Sequence, residues 1–315
     1  MSKSSKALRG EPIKSTASMR LGLRRLLTTM SAIEKPTSML ASPKTTDPLF
    51  RRIEDVHNDL NKPYGRVLDA GTGGHSLKWL ATLPDDCVDC ITAVTADATS
   101  GEGKGASDKK QLLKTQRGDA LVEGSWCSDR APAGANYDTV LCDYLIGSMD
   151  GFTPFMQDTV LGELKARCAP GALLHVVGLT PIYAQLGSEA YKKLGAGEKI
   201  VVDTARLRDA CILLAAHRPY REFPAAWIIR QLERSGFEVL TPWKSYGVVW
   251  KHATIKRQLD VARRKLPHFG DQSVATAMRA QIDALDASAE ALLGDKGVTY
   301  GADYVISARL PAAHE

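Results

Sequence analysis

Four acidic residues fall where short apolar runs come to an end: Asp69, Asp97, Asp119 and Asp143. The first stands just ahead of a tight glycine run, Gly71, Gly73 and Gly74, with Thr72 among them. A carboxylate before such a turn is placed to meet a cationic or hydroxyl-bearing ligand. The glycines let that ligand approach backbone that a Cβ would block. Asp143 is followed at once by Tyr144, which puts an acid and an aromatic at the tip of one apolar run. Further on, Arg206, Arg208, His217, Arg218, Tyr220 and Arg221 gather in a stretch that is too long to be a simple connection.

These groups need elements to position them. Residues 66–68 form a short apolar run suited to a buried strand, and Ser76 opens a helical pattern with Leu77, Leu80 and Leu83 on one face. Strand, glycine turn and helix build a nucleotide-type pocket at the carboxyl end of a parallel strand. Residues 48–62 read as a lead-in helix. Residues 90–95, 137–144 and 172–179 read as buried strands, and residues 115–120 as a third strand end or turn. His175 lies inside the apolar run at 172–179 and is read as a core histidine. A helix is expected at 154–168, and another from about Asp203 to Ala216. The stretch 180–222 is a long insertion at the carboxyl end of a sheet, the usual place for a lid or a substrate-binding element. A strand is expected at 237–240, a basic helix at 255–266, an amphipathic helix at 272–293 and a last strand at 303–308. Alternating strands and helices through residue 179 argue for a parallel sheet covered on both faces.

Bulk properties narrow the function classes. The chain has 315 residues and is 44% hydrophobic and 24% charged, an ordinary globular composition. No apolar run approaches the roughly 18–20 residues needed to cross a bilayer, so no membrane partner is expected. Residues 1–44 hold nine Lys/Arg and two Glu, a balance of +7, so the whole of the net charge of +5 sits there. The remaining chain is at −2, which gives no basic body for a nucleic acid. Residues 1–44 are also rich in Ser and Thr, with leucines interleaved among Arg20, Arg24 and Arg25. That composition is like a transit peptide, or like a tail with a short helix packed over the site. The six cysteines, several in apolar surroundings, suit reduced thiols of an intracellular protein, either cytoplasmic or organellar (plastid or mitochondrial). Cys87 and Cys90 have metal-like spacing but no second ligand pair, and no metal signature is evident.

Taken together, VLDAGTGG at 67–74, GDA at 118–120, YDTVLCDY at 137–144 and APGALLHVVG at 169–178 resemble the successive motifs of the class I S-adenosylmethionine-dependent methyltransferases. The resemblance covers about residues 50–180 and, more weakly, the end of the chain. It implies an α/β fold with a doubly wound, mostly parallel seven-stranded sheet whose last two strands are antiparallel. It also implies S-adenosyl-L-methionine as the cofactor. The backbone at Gly71, Thr72, Gly73 and Gly74 would lie against the methionine part, with Asp69 reaching its amino group. Asp119 and Ala120 would bracket the adenine, and Asp143 and Tyr144 would face the methyl donor and acceptor. The family's ribose-binding acid aligns with Thr95, so Asp97, two residues on, is taken for that contact.

By this reading residues 45–315 are one methyltransferase domain. It carries a lid insertion at 180–222 and a helical insertion at 252–294 that serves as a cap or a homodimer surface. The acceptor is expected to be a small, anionic metabolite, bound by Arg206, Arg218 and Arg221. His217 or Tyr220 would orient its O-, N- or S-acceptor atom. A dinucleotide dehydrogenase is the first rival, but its fingerprint wants a third glycine where Ser76 stands. A non-catalytic protein that keeps the cofactor-binding fold is the second.

Overall fold

The computed structural model describes residues 45–96, 106–132, 134–184 and 186–312. Asp97 and the transit-like segment 1–44 lie outside the described residues. In chain order the elements are α1 (Pro48–Asp59), β1 (Gly65–Asp69), α2 (Gly74–Leu80), β2 (Val88–Thr95), α3 (Ala106–Gln111), β3 (Ala120–Glu123), β4 (Tyr137–Asp143), α4 (Leu145–Ser148), α5 (Val160–Lys165) and β5 (Cys168–Leu179). Then follow α6 (Ser188–Lys192), α7 (Ala196–Leu214), α8 (Ala225–Arg234), β6 (Glu238–Val239), β7 (Lys244–Trp250), α9 (His252–Lys265), α10 (Gln272–Leu293) and β8 (Val298–Arg309). No helix among the described residues is long and apolar enough to cross a membrane.

The sheet runs β3-β2-β1-β4-β5-β8-β6, with β7 also paired to β8. Strands β1 to β5 are mutually parallel, and β8 enters antiparallel beside β5. The expected seven-stranded sheet is therefore present as seven positions filled by eight strands. The outer position is divided: β6 pairs with β8 at Ala308 and Arg309, and β7 pairs with it between Val298 and Val305. The break falls between the two, around the cis peptide at Thr241-Pro242.

Side chains on a strand alternate between faces, and each face of this sheet has its own core. Leu68, Val140, Leu174 and Ile306 pack on one side with Leu161 of α5 and Ile228 of α8. Val67, Ile91, Leu141 and Val305 pack on the other with Phe50 and Ile53 of α1 and Leu77 of α2. Covering both faces explains why these strands read as unbroken apolar runs. Helix α1 starts where Asp47 caps it, accepting from Leu49 N at 2.8 Å, with Pro48 at the first helical position.

The two insertions share a third core. Ile200 and Val201 of α7, Ile255 and Leu259 of α9, and Ile282 and Leu293 of α10 pack together as one helical cap. Helix α7 begins at Ala196, seven residues before the expected start, because Glu198 reaches back to the Gly195 N–H at 2.7 Å and closes the first turn. The helix expected at 154–168 is shorter, Val160–Lys165. Strand β5 takes up the chain already at Cys168.

Candidate functional site

Strand order reverses between β1 and β4, since β1 pairs with β2 on one side and β4 on the other. Crevices at the carboxyl ends of such strands are where ligands bind in open α/β sheets. A cavity of about 250 Å³ lies there, lined by the glycine turn, the end of β2, residues 124–126 beyond β3, and the segment from Asp143 to Thr153.

At Gly71 a Cβ would come within 2.9 Å of Leu145 Cδ1, so the turn and α4 close on each other only because no side chain is there. Asp69 is fully buried. Its Oδ2 accepts from the Ser76 hydroxyl at 2.9 Å, while its Oδ1 has no hydrogen-bond partner among the described residues. The Asp143 carboxylate is also buried, and its Oδ1 is likewise unpartnered. Burial lifts Asp69 to about 6, with the Thr72 and Ser76 hydroxyls and the Lys109 charge working against that rise. Burial also lifts Asp143 to about 8, with Asp69, Asp47 and Asp303 adding repulsion. Thr72 is buried too, with its hydroxyl beside the Asp69 carboxylate. Gly73 forms the N-cap of α2, and its N–H meets Ser76 Oγ at 3.2 Å. Asp143 and Thr72 line the cavity, and Asp69 lies directly behind its wall at Ala70; buried carboxylate oxygens without partners are what a cationic ligand would satisfy.

Thr95 stands at the end of β2 and lines this cavity, as does Lys109 of α3, whose Nζ lies 3.4 Å from both Thr95 Oγ1 and Thr72 O. Lys109, Ser125 and Trp126 were not singled out by sequence reasoning. The expectation for Asp119 and Ala120 is corrected here. They stand at the amino end of β3, not its carboxyl end. Asp119 is wholly occupied: it accepts from Ile91 N at 2.9 Å, from Lys114 N at 2.8 Å, and from Arg117 Nε and Nη2 at 3.0 and 2.9 Å. Those donors hold its carboxyl below the usual range despite burial. The positions at the carboxyl end of β3 that reach the cavity are Gly124 and Ser125.

Tyr144 sits in left-handed backbone at φ 51° and turns the chain from β4 into α4. Its hydroxyl donates to Asp303 Oδ1 at 2.8 Å. Burial, then the Asp303 charge, push its ionisation far up, which removes it as a proton acceptor.

A second cavity, of about 790 Å³, lies between the sheet end and the helical cap, and Tyr220 lines both cavities. Its wall includes Arg218, Arg221 and Glu222 from the lid loop and Thr204, Arg208 and Asp209 from α7. Arg218 is engaged with Asp150, donating from Nε to its carbonyl at 3.0 Å with Nη2 3.5 Å from Oδ2. Arg208 is bound to Asp209 at 2.7 Å and to Gln258 at 2.6 Å. Arg206 is not in the wall. It lies over the rings of Tyr191 and Tyr183, 4.8 and 5.8 Å from their centroids. His217 is likewise outside, with its ring 5.6 Å from that of His268. The lid meets α4 at Gly147, where a Cβ would come within 3.0 Å of Arg221 O and 3.1 Å of Glu222 Oε2.

No family model matches this sequence, and no curated protein matches it either. Solved structures of related fold do. A candidate methyltransferase of Bacillus halodurans has 14% identity over 80% of this chain and 94% of its own, with a TM-score of 0.46. The cyclopropane synthase MmaA2 of Mycobacterium tuberculosis has 14% identity over 85% of this chain and 87% of its own, also at 0.46. A phosphoethanolamine N-methyltransferase of Haemonchus contortus has 13% identity over 79% of this chain and 49% of its own, at 0.40.

Proposed function

We propose that the protein is an S-adenosyl-L-methionine-dependent methyltransferase acting on a small molecule that enters the larger cavity. The observation that carries this reading is the pair Asp69 and Asp143, two buried carboxylates with unpartnered oxygens beside a turn that has no room for a Cβ. The cofactor offers an ammonium and a sulfonium, and two carboxylates complement both charges. A dinucleotide would bring its pyrophosphate to the same turn, where Lys109 is one cation against the two carboxylates, so the balance of charge disfavours the oxidoreductase reading.

When bound, the cofactor supplies a methyl group already activated on sulfur. The protein's own residues then have three tasks. The turn at Gly71 and Thr72 holds the methionine part, with Asp69 on its amino group. Asp143 sets its charge against the sulfonium side. Leu145, Met149 and Trp126, all buried, exclude water around the reacting centre. Alignment and a dry site supply much of the acceleration for such a transfer.

The acceptor enters past Tyr220, which is placed to orient it. Of the arginines expected to bind an anionic acceptor, Arg221 lines the cavity, Arg218 lines it but faces Asp150, and Arg206 stands outside, as does His217. Titration calorimetry tests the proposal. Specific binding of S-adenosylmethionine, abolished by Asp69→Ala, is expected; a chain that is folded and does not bind it refutes the reading. A cofactor-binding protein without transfer activity would bind but label no acceptor.

A further inference from the structure

The larger cavity holds one carboxylate that no cation in its wall neutralises by direct contact. Glu222 follows Arg221 on the lid loop and lines this cavity. Its Oε2 lies against Gly147 of α4, the short helix whose other residues, Leu145 and Ser148, line the cofactor-side cavity. Glu222 therefore stands at the junction of the two cavities. The backbone fixes it there, because Arg221 N donates to Gly147 O at 3.1 Å.

The groups facing it are mixed in sign but acidic in sum. From α7 come Arg208 and Asp209, and Arg208 is already bound to Asp209. From β8 come Asp303 and Tyr304. From the start of α4 comes Tyr144, committed to Asp303. Asp150 and Arg218, further along the wall, are paired with one another. Arg221, the third arginine of the wall, is exposed, so the wall's arginines balance Asp150, Asp209 and Glu222 in number. With Arg208 held by Asp209 and Arg218 by Asp150, Glu222 is the carboxylate left for an entering cation. A second, independent observation points the same way. Thr204 of α7 is 1% exposed and lines the cavity, and its hydroxyl has no partner among the described residues. A hydroxyl left unpaired in a cavity wall is an acceptor or donor kept for what enters.

Resting on the methyltransferase reading above, we propose that the acceptor is a primary or secondary amine and that Glu222 binds it and takes its proton. The amine arrives as an ammonium and pairs with the Glu222 carboxylate, with Thr204 accepting a second N–H. It gives one proton to Glu222, which frees the nitrogen lone pair. That lone pair forms the nitrogen–methyl bond as the methyl–sulfur bond breaks, and the bonding pair stays on sulfur. The product leaves as a methylated ammonium, and Glu222 passes its proton to solvent. Burial holds Glu222 at about 7, where a carboxylate can accept and release a proton near neutrality.

The experiment has two stages. Calorimetry first measures S-adenosylmethionine binding to wild type and to Glu222→Gln. No binding to folded wild type overturns the methyltransferase reading and this inference with it. Equal binding, within about twofold, shows that the variant keeps its fold. A panel of small primary and secondary amines, with carboxylates and phenols matched in size, is then incubated with methyl-labelled cofactor. The expected result is label in amines, reduced about 100-fold or more in E222Q and partly restored in E222D. The rise of kcat/KM with pH, inflecting near 7, should be absent from E222Q, and Thr204→Val should raise the amine KM without changing cofactor affinity. Label in carboxylates or phenols alone, no label in any amine, or equal amine turnover by wild type and E222Q would each overturn the proposal.

Discussion

The Tyr144 hydroxyl donates to Asp303 Oδ1 at 2.8 Å, closing a contact between residues 159 apart in sequence. One partner follows β4 at the smaller cavity, and the other lies in β8, where that strand pairs with both β5 and β7. The bond anchors a residue in the left-handed region, which costs a non-glycine side chain some strain. Tyr144→Phe should lower stability by about 1.5–3 kcal/mol, the usual loss for a hydrogen bond to a charged group. Urea denaturation reads this directly. Because Tyr144 is a positioning residue and not a base, methyl transfer should persist in Y144F, with cofactor affinity within about threefold of wild type.

If Asp69 and Asp143 hold the cofactor as proposed, its binding should depend on pH. Both bind protons above the usual carboxylate range, to about 6 and about 8. A cationic ligand favours their ionised forms, so its binding releases protons. Affinity for S-adenosylmethionine should rise between about pH 6 and pH 8, with the heat of binding depending on the buffer's ionisation enthalpy. Asp143→Asn should flatten the upper part of that rise. The same shift has a sign for stability. A folded pKa raised above the unfolded value of 3.8 gives stability that is present at low pH and lost as pH rises through 8. D143N should therefore resist urea better than wild type at pH 9. An affinity that stays level across this range would count against a cationic ligand at these carboxylates.

Much of this site could be read from residue order alone, because its core is local. Residues 67–77 are one strand, one turn and one helix start, and Asp69, Gly71 and Ser76 meet within them. The parallel strands announced themselves through double-sided burial. Asp119 was misplaced for a reason of register. An acid beside a short apolar run looks the same at either end of it, and only the pairing of Ala120 with Thr92 shows that β3 begins there. The arginines of the lid misled in another way. Composition cannot show that Arg208 and Arg218 already have carboxylates beside them, one from the next residue and one from a segment 68 positions away. Glu222 carried no local signal, since its significance comes from Gly147, α7 and β8 together.

The glycine turn offers a paired comparison. Gly71→Ala would bring a methyl group within 2.9 Å of Leu145, forcing the turn and α4 apart. Gly74→Ala meets nothing within 4 Å. Calorimetry should find cofactor affinity lowered about tenfold or more by G71A, given a strain of about 1–3 kcal/mol from overpacking, and unchanged by G74A.

A buried histidine pair sets the acid limit of the fold. His57 Nε2 lies 3.2 Å from His175 Nε2, with Lys62 O and Ser307 Oγ each 2.8 Å from the outer ring nitrogens. Burial lowers both, His57 to about 4, so the unfolded chain takes up protons first as pH falls. Their contribution is intact above about pH 6.5 and is lost as pH falls toward 4; for His57 alone the change is on the order of 3 kcal/mol. Urea midpoints at pH 7 and pH 5 should differ more for wild type than for His57→Gln. Equal shifts in the two proteins would place the acid sensitivity elsewhere.

The divided outer position of the sheet leaves β7 and β8 joined as a ribbon from Val305 out to Val298, past the last pairing of β8 with β5 at Asp303. Helices α9 and α10 hang from the far end of that ribbon, between Trp250 and Val298. Two of the three cap helices are thus grafted at a single hairpin tip. They could be exchanged, shortened or rebuilt there without altering the register of any strand that holds the glycine turn. The cap and the glycine turn are in this sense separately heritable, a modularity written into the way one long strand serves two neighbours along one edge.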